Sequence, residues 1–128
     1  MEKNIINKHL QKIVEKAKKD RDVVGVILFG SYLQSYGFND IDIALVTREG
    51  IDERTSIEKR VEYLAELPEK FDIQIYQSLP LAVKKEVLEG KVLYETKELY
   101  EIAYKTIKDY ERFRKYREDY VRRVLVEK

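Results

Sequence analysis

Asp40 and Asp42 stand two residues apart in Asp40-Ile41-Asp42-Ile43-Ala44-Leu45-Val46, and their spacing is the first sign of chemistry in this chain. On an extended strand, residues i and i+2 leave the same face about 7 Å apart, so both carboxylates can turn toward one cation. Hard carboxylate oxygens suit Mg²⁺, which commonly binds through one or two carboxylates together with the phosphates of a substrate. Taken alone, the pair reads more readily as a solvent-facing strand entrance. Asp72, in Phe71-Asp72-Ile73-Gln74-Ile75-Tyr76, repeats the pattern: Ile73 and Ile75 share one face, and Asp72, Gln74 and Tyr76 share the other. A lone Asp72 would be surface. Three carboxylates on one face would repel one another and raise at least one pKa, so a bound cation is the economical reason for gathering them. That gathering requires the two strands to be neighbours, which one sequence does not establish. Upstream, Phe29-Gly30-Ser31 ends an apolar run, and eight residues separate it from Asp40. Gly30 allows close backbone approach, and the N–H groups and hydroxyl of a helix starting near Ser31 would suit a phosphate. The plainer alternative is a glycine turn with a serine N-cap.

The elements that position these residues follow from periodicity. The first twenty residues place Ile5, Ile6, Leu10, Ile13, Val14 and Ala17 at helical spacing. Val23 to Phe29 is a β-branched apolar run that suits a strand buried on both faces. Asp40 to Val46 predicts a second strand. Arg54 to Leu67 predicts a helix whose apolar positions are Ile57, Val61, Leu64 and Ala65, stopped by Pro68. Phe71 to Tyr76 predicts a third strand. Pro80 opens and Gly90 closes a short helix carrying Leu81, Val83, Val87 and Leu88, and Lys91 to Glu95 forms a short strand. From Thr96, a plausible N-cap, Leu99, Ala103, Ile107, Tyr110, Phe113, Tyr120 and Val124 recur every three or four residues, which predicts one long C-terminal helix over about 96–126. Alternating helices and strands argue for an α/β or α+β fold, a small mixed sheet covered by helices. Strand order is not contained in the pattern.

The 128 residues suit one domain, with a core over about 20–95. With 25 basic and 24 acidic residues the net charge is +1, which gathers neither nucleic acid nor anionic lipid. There is no cysteine, hence no disulfide, thiolate zinc site or cysteine nucleophile; with no secretory signature, a cytoplasmic location is expected. The apolar runs are too short for a membrane span. His9, the only histidine, is expected to be a solvated residue of the first helix without a metal or relay role.

The ordered combination of Leu28-Phe29-Gly30-Ser31-Tyr32, Asp40-Ile41-Asp42-Ile43-Ala44-Leu45-Val46 and Phe71-Asp72-Ile73-Gln74-Ile75 resembles the minimal nucleotidyltransferases (MNT) of the polymerase-beta-like superfamily, over roughly Val23 to Tyr94. The resemblance implies a nucleotidyltransferase-like fold in which Gly30 and Ser31 hold the triphosphate and Asp40 and Asp42 bind metal, two Mg²⁺ ions. Asp72 would complete the metal site and act on the attacking hydroxyl. ATP would be the substrate, AMP the transferred group and pyrophosphate the leaving group. Relative to the family pattern, the stretch between Ser31 and Asp40 is about two residues shorter, and Tyr32-Leu33-Gln34-Ser35 lacks the basic residue often found there. Arg48 and Lys70 are the candidate replacements.

The resemblance further implies a partner, a HEPN-type toxin with a tyrosine as acceptor, and an antitoxin role in a homo- or hetero-oligomer. Tyr100, Tyr104, Tyr110, Phe113, Tyr116 and Tyr120 of the last helix cannot all face one small core. Some are expected at an interface, where aromatic residues and arginine are enriched; alternatively half pack on the sheet and the rest form ordinary amphipathic surface. Two rival readings stand beside this one. The first is a module that neutralises its partner by binding alone, and the second is a transferase acting on a small antibiotic-like molecule.

Overall fold

The structure, a computed structural model, describes residues 3–34 and 40–125. Among these residues four helices and four strands follow in the order α1 (Lys3–Lys18), β1 (Val23–Phe29), β2 (Ile41–Thr47), α2 (Glu53–Leu64), β3 (Phe71–Ile75), α3 (Leu81–Leu88), β4 (Lys91–Tyr94) and α4 (Lys97–Leu125). Single 3₁₀ turns follow β1, at Ser31–Gln34, and β3, at Tyr76–Ser78. The α/β reading with a small mixed sheet and a long C-terminal helix is thus the observed architecture. The shortened stretch before Asp40 falls largely in residues 35–39, outside the described residues.

The sheet order is β3-β2-β1-β4. β1 runs antiparallel to both β2 and β4, and β2 runs parallel to β3. β1 and β2 are central and read accordingly: every residue of β1 is buried, and Asp42 alone in β2 is only partly so. Alternation assigns the two faces. Ile41, Ile43 and Leu45 join Phe71, Ile73 and Ile75 in one core with Ile6, Leu10, Ile13 and Tyr63 from α1 and α2. Ala44, Val46, Ile27 and Phe29 join Val87, Leu99 and Ile102 in a second core under α3 and α4. Slipping β2 by one residue would drive Asp42 into the first core, so burial of the isoleucines holds the register that presents the aspartates on the second face.

Four sequence expectations change. α2 packs through Ser56 and Tyr63, while Ile57 and Val61 are 55% and 61% exposed, because the helix lies beside the edge strand and only a narrow stripe is covered. Tyr76 leaves the strand for the 3₁₀ turn and is buried, its hydroxyl bonded to that of Thr106 on α4. His9 is half-buried rather than solvated, its ring edge-on to Phe71 at 5.5 Å between centroids. The helix expected near Ser31 is one 3₁₀ turn. Thr96 caps α4 as expected, accepting from the Leu99 N–H at 3.3 Å while its hydroxyl donates to the Val24 carbonyl.

Candidate active site

The parallel pairing of β2 with β3 sets Asp42 directly beside Asp72, and the antiparallel pairing of β1 with β2 sets Phe29 opposite Asp42. The end of β1 and the starts of β2 and β3 therefore meet at one end of the sheet, on the face shared with α3. Gly30 has φ +83°, in the left-handed region, and a Cβ there would lie 2.6 Å from Asp42 Oδ2. Only glycine both turns the chain there and leaves room for the carboxylate. Ser31 follows as the first residue of the 3₁₀ turn, half-buried. Asp40 lies just before β2 and is exposed. All five residues singled out in the sequence thus come to this end of the sheet.

Burial, then the negative charges of Asp72, Asp40 and Glu86, push the Asp42 carboxyl above the usual carboxylate range. All four influences act in the same direction. Glu86, on α3, is a fourth carboxylate that the sequence did not point to; it sits on a short helix among lysines, and only the packing of α3 over the sheet brings it near Asp42. Asp72 differs. Its Oδ1 lies 3.4 Å from Arg60 Nη2 and its Oδ2 accepts from Gln74 Nε2 at 2.7 Å. Arg60, on α2, also donates from Nε to the Ile73 carbonyl at 2.5 Å, so it spans the open edge of β3. Nothing in the charge pattern of α2 signalled that reach.

Among the described residues, no three histidine, cysteine or carboxylate groups stand together ready to enclose a metal. Asp72 is turned to Arg60 and Gln74. What the residues do fit is the two-carboxylate mode of Mg²⁺, in which Asp40 and Asp42 supply hard oxygens and phosphate oxygens complete the shell. The raised carboxyl of Asp42 supports that fit, since a divalent cation would relieve the repulsion that raises it.

Arg48 is not a source of positive charge here. It pairs with Asp22 at 2.8 Å beyond the other end of β2, about 20 Å from Asp42 at the rise of a strand. Lys70 precedes β3, and its carbonyl accepts from the Ile41 N–H at 2.9 Å, so its backbone is at the right end of the sheet.

A family model described as Polymerase beta, Nucleotidyltransferase matches residues 11–99, which include every residue discussed at this site. The chain is similar, at 39% identity over 87 residues, to a Methanocaldococcus jannaschii protein provisionally named a protein adenylyltransferase. That similarity covers 65% of this chain and 66% of the relative, just under two thirds of its length. Among solved structures, the chain is similar to one from a toxin–antitoxin crystal structure with AMP-PNP, at 27% identity and a TM-score of 0.66, covering 91% of this chain and 98% of the other. It is also similar to a chain from the structure of a tri-AMPylated Shewanella oneidensis HEPN toxin in complex with MNT antitoxin. There the identity is 25% and the TM-score 0.65, with 94% and 98% of the two chains covered. The structural neighbours are MNT antitoxins.

Proposed function

Because the chain belongs to the polymerase beta nucleotidyltransferase family, we propose that it transfers AMP from ATP to a hydroxyl, the acceptor being a tyrosine of a HEPN-type toxin that it thereby neutralises. The observation that carries this reading is the strand register that puts Asp42 beside Asp72 and against Gly30. Asp40 and Asp42 would hold Mg²⁺ with the triphosphate. When bound, the metal offsets charge developing on the phosphates. The turn at Gly30 and Ser31 presents backbone N–H groups and a hydroxyl to phosphate oxygens. Asp72, one strand further out, would receive the proton of an incoming hydroxyl and orient that hydroxyl toward the α-phosphorus.

A macromolecular acceptor fits the surroundings. Ile57 and Val61, exposed, flank Arg60 on α2 at the spacing of one helix face. The relatives supply the chemistry: one is provisionally named for protein adenylylation, and one structural neighbour stands beside an AMPylated toxin. The test is to incubate the protein with ATP labelled at the α-phosphate, Mg²⁺ and the product of the adjacent gene, in parallel with Asp42→Asn. Label on the partner with the wild type, abolished by EDTA and by Asp42→Asn, is the expected outcome; an unlabelled partner sinks the adenylylation reading.

A second reading, neutralisation by binding alone, is favoured by one observation, that both oxygens of Asp72 are already engaged by protein donors. If Asp40→Asn with Asp42→Asn protects cells as well as the wild type does, this reading displaces catalysis.

A further inference from the structure

Arg60 belongs to a helix packed on the face of the sheet opposite the carboxylates, yet its guanidinium passes over the edge of β3 to reach one of them. Two contacts fix its path: Nε on the Ile73 carbonyl at 2.5 Å and Nη2 at 3.4 Å from Asp72 Oδ1. Arginine's planar fork serves both acceptors at once, which a lysine ammonium on a flexible stem does less well. Gln74 takes the other oxygen of Asp72. Among the described residues, Asp72 is therefore the carboxylate of the group with both oxygens assigned to protein donors, whereas Asp42 is bordered by Asp72, Asp40 and Glu86. The Arg60 and Asp72 side chains remain 44% and 37% exposed, so water screens the pair and a doubly charged ion can displace it.

We propose, resting on the transferase reading above, that Arg60 is a positioning residue that competes with divalent metal for Asp72. It holds the third carboxylate in line for the transfer and keeps it out of the metal's shell in the absence of nucleotide. Two opposite effects follow from removing it. Metal binding to the protein alone should tighten, because a competing cation is gone, and transfer should slow, because the carboxylate is no longer held in place. A residue that merely supports the fold would weaken both.

Mn²⁺ binding to the full chain without nucleotide, followed by electron paramagnetic resonance, separates the cases. Arg60→Met should bind Mn²⁺ about two- to fivefold more tightly than the wild type, the equivalent of about 0.5–1 kcal/mol for a half-exposed ion pair. Its kcat for label transfer should fall about tenfold or more, with KM for ATP within about twofold. Arg60→Lys should restore the Mn²⁺ affinity and only part of kcat. Gln74→Leu, which leaves the strand-edge bond of Arg60 in place and so tests the same competition without touching that anchor, should also tighten Mn²⁺. Binding that is unchanged or weaker in both Arg60→Met and Gln74→Leu, in protein with wild-type circular dichroism, overturns the competition even if the wild type transfers label. Conversely, a wild type that binds Mn²⁺ through Asp42 but transfers no label removes the transferase reading, and tighter binding in Arg60→Met still supports the competition.

Discussion

Ionised Asp42 is held in the fold at a cost, since burial and the charges of Asp72, Asp40 and Glu86 all favour its protonated form. Its folded pKa lies above the unfolded value of about 3.8, so the folded state binds the proton more tightly. The stability linked to that proton is present below 3.8 and is lost as pH rises through the folded pKa. Asp42→Asn removes the charge and keeps the shape. Without metal, it should melt a few degrees above the wild type at pH 7, and the gap should close as the pH falls toward 3.8, as followed by circular dichroism. Added Mg²⁺ should reverse the order, raising the wild type and leaving the variant in place. An Asp42→Asn protein that melts below the wild type at neutral pH would mean that the carboxylate is satisfied by a partner rather than opposed by neighbours. At this scale strand parity separates Asp42 and Asp72 from the isoleucines of their own strands, because a period of two permits only two faces; that the two carboxylates meet rests on the parallel pairing of β2 with β3, which parity does not contain. Glu86 and Arg60 were not legible, since each reaches the site from a helix whose position depends on packing. Arg48 is a different case, since its spacing from Asp42 along the strand by itself puts it at the far end of the sheet.

The elements themselves were read well where burial is two-sided or strongly periodic. Val23 to Phe29 stands as β1 and Lys97 to Leu125 closely follows the expected helix. α2 ends at Leu64 rather than Leu67, and of its expected apolar positions Leu64 packs on the core while Ile57 and Val61 face outward and Ser56 lies inside, because a helix beside an edge strand has only part of one face to bury. The sheet order could not be read because it rests on contacts between distant segments. Two glycines show how closely the elements approach. A Cβ on Gly90, at the turn from α3 into β4, would lie 2.3 Å from the Leu28 carbonyl oxygen, which is backbone of a central strand and has nowhere to go. A Cβ on Gly25 would meet Leu99 Cδ1 at 2.8 Å, the tip of a side chain that can rotate. Gly90→Ala should therefore lower Tm by roughly 5–10 °C, in keeping with an overpacking penalty of about 1–3 kcal/mol, and Gly25→Ala by less than half as much. Thermal melts of the two variants side by side test the ranking, and a larger loss for Gly25→Ala would show that α4 is pinned more rigidly on β1 than the path of the Leu99 side chain implies.

At the scale of the whole molecule, the outer half of α4 has no use within the fold. Leu99, Ile102 and Thr106 bury its first turns, but residues 111–125 are exposed throughout, a rod of about 22 Å at the helical rise. Phe113, Tyr116 and Tyr120 are 52%, 73% and 59% exposed, with Val121 and Val124 beyond them. Tyr110, Arg114, Arg117 and Val121 share one open side of this helix. The extension gains nothing from packing within the fold, and arginine beside aromatic side chains is the composition of binding hot spots. Among the described residues nothing covers this stripe, and the aromatics do not divide evenly: Tyr110 alone is half-buried, while Tyr100 and Tyr104 on the inner turns are exposed like the outer three, because Leu99, Ile102 and Thr106 take the face toward the sheet. Replacing Tyr116 and Tyr120 together by serine should weaken binding to the proposed toxin partner by tenfold or more in calorimetry, because each buried aromatic anchor at an interface contributes about 1–2 kcal/mol. Tm of the isolated chain should move by no more than about 2 °C, since neither ring supports the core. The paired change Ile57→Ser with Val61→Ser probes the other exposed apolar surface, beside Arg60. If it, and not the α4 pair, releases the partner, then the acceptor docks on α2 next to Asp72 and the projecting helix serves a different contact.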